Sequence, residues 1–279
     1  MTSGTYRIGG DRVVRRLGFG AMHLPTAPAE ARRTAVAVAR RAVDLGVTLI
    51  DTAHLYGWGA NEELLAEALY PYPADLLIAT KVGVAPPGPG TDAAVCGRPE
   101  FLRDQVDQAL RRLRVPRLDL LQLHRIDPDV PLADQLGTLG ELQAEGKIGH
   151  LGLSEVTVAE LAQARRIVAV ASVQNRYNLL DREHEGVLDA CAEAGIAFLP
   201  WRPIHPAVSA ATGAIAAVAA DLGATAAQVS LAWLLARAPV VCPIPGTASP
   251  AHLEENVAAA TLHLTDHHLR RLDTSPSSP

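Results

Sequence analysis

A chain of 279 residues exceeds one average domain but suits a single α/β barrel, which typically runs to about 250 residues. With 48% hydrophobic residues, 20% charged residues and a net charge of −5, it can bury a large core and shows neither the basic face of a nucleic-acid binder nor a polybasic run for an anionic membrane. Every apolar run is broken before about 18 residues, which excludes a transmembrane helix. Met1–Gly10 lacks the apolar stretch of a signal peptide, and Cys96, Cys191 and Cys242 are too few and too scattered for a disulfide framework or a zinc cluster, so a cytoplasmic protein is expected.

In chain order, Thr5–Val14 reads as a hairpin around Gly9-Gly10-Asp11, placed to cap the bottom of a barrel. Apolar runs of strand length follow at 16–21, 47–51, 76–82, 118–123, 148–153, 171–175, 196–200 and 240–244. Between them, apolar residues recur at helical spacing over 31–45, 62–69, 101–113, 132–145, 158–168 and 183–194. Gly46, Gly146 and Gly195 each stand between a helix and a strand, where a left-handed cap belongs. Eight strand–helix units predict a (β/α)8 TIM barrel with an N-terminal β-hairpin cap, as one domain over residues 1–279. Two stretches interrupt the rhythm. Residues 83–98 form a Pro/Gly-rich loop of a length that marks function or mobility, and 201–211 lead into Ala-rich helices at 212–222 and 226–237. Thr274–Pro279 is Ser/Pro-rich and expected to be disordered.

The ends of these strands carry the chemistry. Asp51 closes the second strand, Tyr56 follows five residues later, Lys81 closes the third and His124 the fourth. Taken singly, Asp51 reads as a helix cap, Tyr56 as loop packing, Lys81 as a surface or Schiff-base lysine and His124 as a packed histidine. Together, at the C-terminal mouths of successive barrel strands, they read as a site. Tyr56 is the one neutral O–H donor among them, Lys81 is expected to lower its pKa, Asp51 to keep Lys81 charged, and His124 to polarise the same oxygen. Such a set suits protonation of a carbonyl oxygen while a cofactor delivers hydride to carbon.

The motif Asp51-Thr-Ala-His-Leu-Tyr56-Gly, with Lys81 and His124, resembles the aldo-keto reductase superfamily. Gly149-His-Leu-Gly-Leu-Ser154, Val173-Gln-Asn-Arg-Tyr-Asn178, Ile244-Pro-Gly-Thr-Ala-Ser249 and Leu253-Glu-Glu-Asn-Val257 extend the likeness over roughly residues 12–272. The resemblance implies NADPH-dependent reduction of an aldehyde or ketone, with Asp51, Tyr56, Lys81 and His124 catalytic and Tyr56 the general acid. It implies that Ser154 and Gln174 bind the nicotinamide carboxamide, that Trp201 stacks on the ring, and that Gly20 and Met22 lie by the ribose. Gly246, Thr247, Ser249 and His252 would meet the phosphates, and Glu255 and Asn256 the adenine. His252 stands where the family often has an arginine and Gly246 where it often has a lysine, which leaves NADH possible. Glu155 replaces the usual asparagine; it either accepts from the carboxamide or turns outward.

His23, Trp58, Arg125 and Arg202 are candidates for the substrate pocket. Arg111, Arg112 and Arg114 read as structural cations at a helix end. His267-His268 lack companions for a metal site, so no metal is expected. Glu67-Ala-Leu-Tyr70-Pro-Tyr72-Pro is similar to the bacterial pyridoxal-reductase-like branch, which implies an aromatic aldehyde such as pyridoxal. The expected partner is a small carbonyl compound, with no nucleic acid or membrane, and the expected state a monomer or small homo-oligomer. Two alternatives stand beside this reading: a Schiff-base lyase or aldolase using Lys81, and a cofactor-bound regulatory subunit with little turnover.

Overall fold

Residue parity within the strands decides where the site lies. In the computed structural model, which describes residues 4–88, 92–210 and 212–274, seven parallel strands curl into a barrel wall. Their neighbour order follows the chain: Phe19–Gly20, Leu49–Asp51, Leu77–Val82, Leu118–Leu123, Ile148–Ser154, Val170–Gln174 and Ala197–Phe198. Alternate side chains point to opposite faces of a strand. Leu49, Leu77, Ala79 and Leu120 therefore fill the barrel interior, while Ile50, Ile78, Leu121 and Val173 pack under the helices. Continuing the inward series by two residues carries Leu49 to Asp51 and Ala79 to Lys81. The apolar interior becomes polar at the last inward position.

The expected eighth strand at 240–244 does not form a regular ladder. It closes the ring through single parallel bridges, Phe198 to Val241 and Gly20 to Gly246. On one side Phe198 donates its N–H to Val240 O (2.9 Å) and Cys242 donates to Phe198 O (2.8 Å). On the other side Gly18 and Gly20 donate to the carbonyls of Pro243 (2.9 Å) and Pro245 (3.1 Å). Proline has no N–H to return, so Pro243 and Pro245 accept at this seam without donating. Gly20 is required there, since a Cβ would stand 2.7 Å from Ile244 O. The first strand, Phe19–Gly20, is shorter than 16–21, and Arg16 before it has another task. Its buried guanidinium donates to Leu235 O, Ala238 O and Val241 O, satisfying carbonyls where the helix Ala226–Arg237 ends.

Helices Ala29–Asp44, Ala60–Leu69, Pro99–Leu113, Leu132–Ala144, Val158–Ala164, Glu185–Ala194, Gly213–Leu222 and Ala226–Arg237 match the predicted series, and Pro250–Ala258 and Asp266–Asp273 complete it. Gly46, Gly146 and Gly195 take φ of +86°, +82° and +65°, the expected left-handed caps. At the bottom of the barrel, Thr5–Ile8 pairs with Arg12–Arg15, and Ile8 and Val14 plug the interior cluster. Arg12 bonds Asp119 (3.0 Å) and Tyr6 OH donates to Gly195 O (2.6 Å), locking the cap. The Pro/Gly-rich segment holds more order than expected: Val84–Ala85 pairs with Ala94–Val95, and Gly97 N–H donates to Asp127 (2.7 Å). Residues 89–91 of that loop lie outside the described residues, as does the Ser/Pro tail beyond Thr274. Among the described residues no single helix is long and apolar enough to cross a membrane.

Candidate active site

Asp51, Tyr56, Lys81 and His124 meet at the C-terminal mouth of the barrel. Lys81, fully buried, donates from Nζ to both Asp51 oxygens (2.8 and 2.7 Å), to Thr52 O (2.8 Å) and towards the Tyr56 hydroxyl (3.3 Å). Its ammonium protons are thus directed at Asp51, Thr52 and Tyr56. The His124 ring stands edge-on to Tyr56, with centroids 6.3 Å apart. Burial opposes the charge on Lys81, yet Asp51 and Tyr56 together outweigh it and the pKa is raised. A lysine so saturated and so firmly protonated is not a nucleophilic amine, and the Schiff-base alternative gains no support.

The expected lowering of the Tyr56 pKa is not what the site produces. Burial raises it, and Lys81 offsets only part of that rise, so Tyr56 keeps its proton well into the alkaline range. His124 is pushed down to about 2 by burial, then by Lys81 and Arg125, and is neutral at pH 7. Neutral imidazole and neutral phenol therefore face the same mouth, backed by one ammonium. The arrangement can donate hydrogen bonds to an oxygen and one proton to it.

Around this centre lie further polar residues. Gln174 Nε2 donates to Asp51 Oδ1 (2.8 Å) and to Gln122 Oε1 (3.0 Å), and Gln122 donates to Ser172 Oγ (3.0 Å). The loop that carries Tyr56 is clamped from outside. Arg112 Nε donates to the fully buried Glu62 (2.6 Å), its NH2 group meets His54 Nδ1 (3.1 Å), and Thr80 Oγ1 donates to the other Glu62 oxygen (2.5 Å). Asn61 joins the loop to the first strand, accepting from Thr52 Oγ1 (2.6 Å) and donating to Ala21 O (2.9 Å). A signal for this clamp was present in the sequence: Asn61 lies four residues before Leu65 and eight before Leu69, a polar residue on the apolar stripe of its helix.

The remaining expected residues distribute as follows. Ser154 is buried and accepts from Arg125 (3.2 Å). Trp201 lies beyond the seventh strand, with Arg202 5.6 Å from its ring centroid. Ser249 caps the helix Pro250–Ala258, accepting from His252 N–H, and donates its own N–H to Thr247 Oγ1 (3.0 Å), so two hydroxyls sit together at a helix N-terminus. His252 is exposed and Asn256 buried, whereas the Glu255 carboxylate accepts from Thr225 Oγ1 on a neighbouring helix. His23 and Met22 are exposed near Gly246, whose missing Cβ would meet Gly20 O at 2.8 Å. Trp58 is exposed and packs edge-on to His54 (5.9 Å). Glu155 neither faces outward nor stays free: its carboxylate accepts from the Trp201 indole (2.5 Å) and from Arg176 N–H (2.8 Å). Among the described residues no group of His, Cys, Asp and Glu could hold a metal ion.

The chain is similar to known proteins along nearly its whole length. An uncharacterized oxidoreductase of Schizosaccharomyces pombe is 44% identical over 99% of this chain and 91% of its own length. Pyridoxine 4-dehydrogenase of Escherichia coli is 40% identical over 98% of both chains. An aldo-keto reductase from Klebsiella pneumoniae, solved in complex with NADPH, superposes with a TM-score of 0.84 at 28% identity, covering 98% of this chain and 95% of that one. The aldo/keto reductase family model matches residues 16–275, and the chain belongs to that family.

Proposed function

We propose that the protein reduces an aldehyde or ketone to an alcohol with NADPH, Tyr56 giving the proton. The observation that carries this reading is the directed chain Asp51–Lys81–Tyr56 beside a neutral His124. NADPH, when bound, supplies the hydride. The cofactor fits what the residues offer: Gly20 and Gly246 pack backbone against backbone at the mouth, and Thr247 and Ser249 place hydroxyls where the helix Pro250–Ala258 begins, the end that favours an anion. Trp201 would receive the nicotinamide ring, and Ser154 and Gln174 its carboxamide, with Met22, His252, Glu255 and Asn256 along the nucleotide.

The carbonyl oxygen sits between Tyr56 and His124. The neutral imidazole orients and polarises it, Tyr56 passes its proton over, and the Lys81 ammonium stabilises the resulting phenolate. Lys81 stays cationic throughout because Asp51 never releases it. His23, Trp58, Arg125 and Arg202 line the approach for substrate. A pyridoxal-type aromatic aldehyde is the favoured substrate: the chain resembles a pyridoxine 4-dehydrogenase over nearly its whole length. We further read the chain as one barrel domain, a monomer or small homo-oligomer acting in the cytoplasm, where its three free, buried cysteines remain reduced.

The test is direct. Wild type should oxidise NADPH in the presence of pyridoxal, and Tyr56→Phe should lose about 10²–10⁴ in kcat with the cofactor Kd unchanged. Near-normal kcat in Tyr56→Phe would overturn the assignment. Titration by nicotinamide fluorescence decides between NADPH and NADH.

A further inference from the structure

Glu155 follows Ser154, the last residue of the fifth strand, and adopts φ +56°, a left-handed backbone that a residue with a Cβ takes only when its surroundings impose it. Those surroundings are its own bonds. The Glu155 N–H donates to Gln174 O (3.0 Å), and Oε1 accepts both the Trp201 indole N–H (2.5 Å) and the Arg176 N–H (2.8 Å). Arg176 and Trp201 are parallel bridge partners, and Trp201 N–H donates to Asn175 O (3.2 Å). One carboxylate therefore gathers the chain where it leaves the fifth, sixth and seventh strands. The residue after the indole is constrained as well: Arg202 has φ +51°, and its carbonyl accepts from Asn178 Nδ2 (3.0 Å).

An indole has one N–H, and its direction fixes the rotation of the ring. Tied to an anionic acceptor, that N–H makes a bond about twice as strong as one to a neutral group. An asparagine at this position would be one methylene shorter and uncharged. We propose that Glu155 is a positioning residue that sets the plane of Trp201 for the nicotinamide ring, instead of touching the carboxamide itself. This rests on the reading above that Trp201 receives that ring.

The experiment measures NADPH Kd by nicotinamide fluorescence for wild type, Glu155→Gln, Glu155→Ala, Trp201→Phe and the double variant Glu155→Ala/Trp201→Phe, with the indole N–H resonances of the three tryptophans recorded in parallel. Glu155→Ala should weaken NADPH on the order of tenfold, the factor expected for losing a charge-assisted hydrogen bond. Glu155→Gln, which keeps an oxygen acceptor, should lose less. In the Trp201→Phe background, which has no N–H to orient, Glu155→Ala should add nothing. The one indole signal that Trp201→Phe removes should move in both Glu155 variants. A Glu155→Ala effect of equal size with and without Trp201 would overturn the proposal, as would an unmoved indole resonance. If Trp201→Phe leaves NADPH Kd unchanged, the underlying placement of the ring falls; if it weakens NADPH while Glu155→Ala does not, the positioning role alone falls.

Discussion

Replacing Asp51 by asparagine should destabilise the fold through Lys81, in addition to stopping the reaction. The Lys81–Asp51 pair is buried on both sides, with side-chain exposures of 0% and 3%. Asparagine keeps one oxygen, which can accept from Gln174 or from Lys81, and turns an NH2 group towards donors that had an acceptor. Removing one partner of a buried ion pair strands the other charge and costs about 3–5 kcal/mol. For 279 residues the unfolding entropy near the midpoint is about 0.6 kcal/mol/K, so a loss of 4 kcal/mol lowers Tm by about 7 °C. Differential scanning calorimetry of wild type, Asp51→Asn and Asp51→Asn/Lys81→Met measures this. Adding Lys81→Met removes the stranded ammonium and should return roughly half of the lost stability and none of the activity. The raised Lys81 pKa gives the sign of the pH dependence. The stabilisation is complete below the unfolded lysine value of about 10.4 and fades as pH climbs through the higher folded value. A wild-type Tm for Asp51→Asn, or a double variant less stable than the single one, would refute this account.

Because the Tyr56 pKa is raised and that of His124 lowered to about 2, kcat for reduction should be level from about pH 6 to 10 and fall only beyond it. An inflection near pH 6.5 traceable to His124 by substitution would contradict the neutral-imidazole site. In Gly59→Ala the new Cβ would meet Arg112 Nε at 2.5 Å, at a residue with φ +95°, and break the clamp on the Tyr56 loop. A loss of about 1–3 kcal/mol in urea unfolding, together with reduced kcat, is expected. Burial pushes the Cys191 and Cys242 thiols up to about 12, so the native protein should resist Ellman's reagent at both positions, while unfolded protein reacts at all three cysteines.

The barrel and its mouth were legible because they follow from local pattern. Period-two strands ending in Asp51, Lys81 and His124 put those side chains at one end of the barrel, and the glycines at 46, 146 and 195 marked where each helix must stop. What was not legible depends on residues far apart in sequence. Gln174 reaches Asp51 across 123 positions, and Glu155 reaches Trp201 across 46. Neither distance has a period. The direction of the Tyr56 shift was missed for a similar reason: the lysine's proximity could be inferred, but the burial that outweighs it is a property of the assembled mouth. The hairpin of Val84–Ala85 with Ala94–Val95 has only two residues a side, too few for alternation to register. The 240–244 run looked like a strand by hydropathy, and Pro243 and Pro245 are the reason it is not a full one.

The one-way seam at those prolines has a consequence for how the ring opens. There Pro243 and Pro245 accept from Gly18 and Gly20 without donating, and besides these two bonds the Arg16 side chain ties the first segment to Val241 O of the last. In hydrogen-exchange terms, the Gly18 and Gly20 amides should trade deuterium sooner than those of the central strands, through a partial unzipping well short of global unfolding. Gly20 and Gly246 are bridge partners across that seam, and a molecule resting on both acts as a staple across it. Occupancy of the site should then be readable as slowed exchange at two glycines that lie two strands along the wall from Lys81, without any turnover at all.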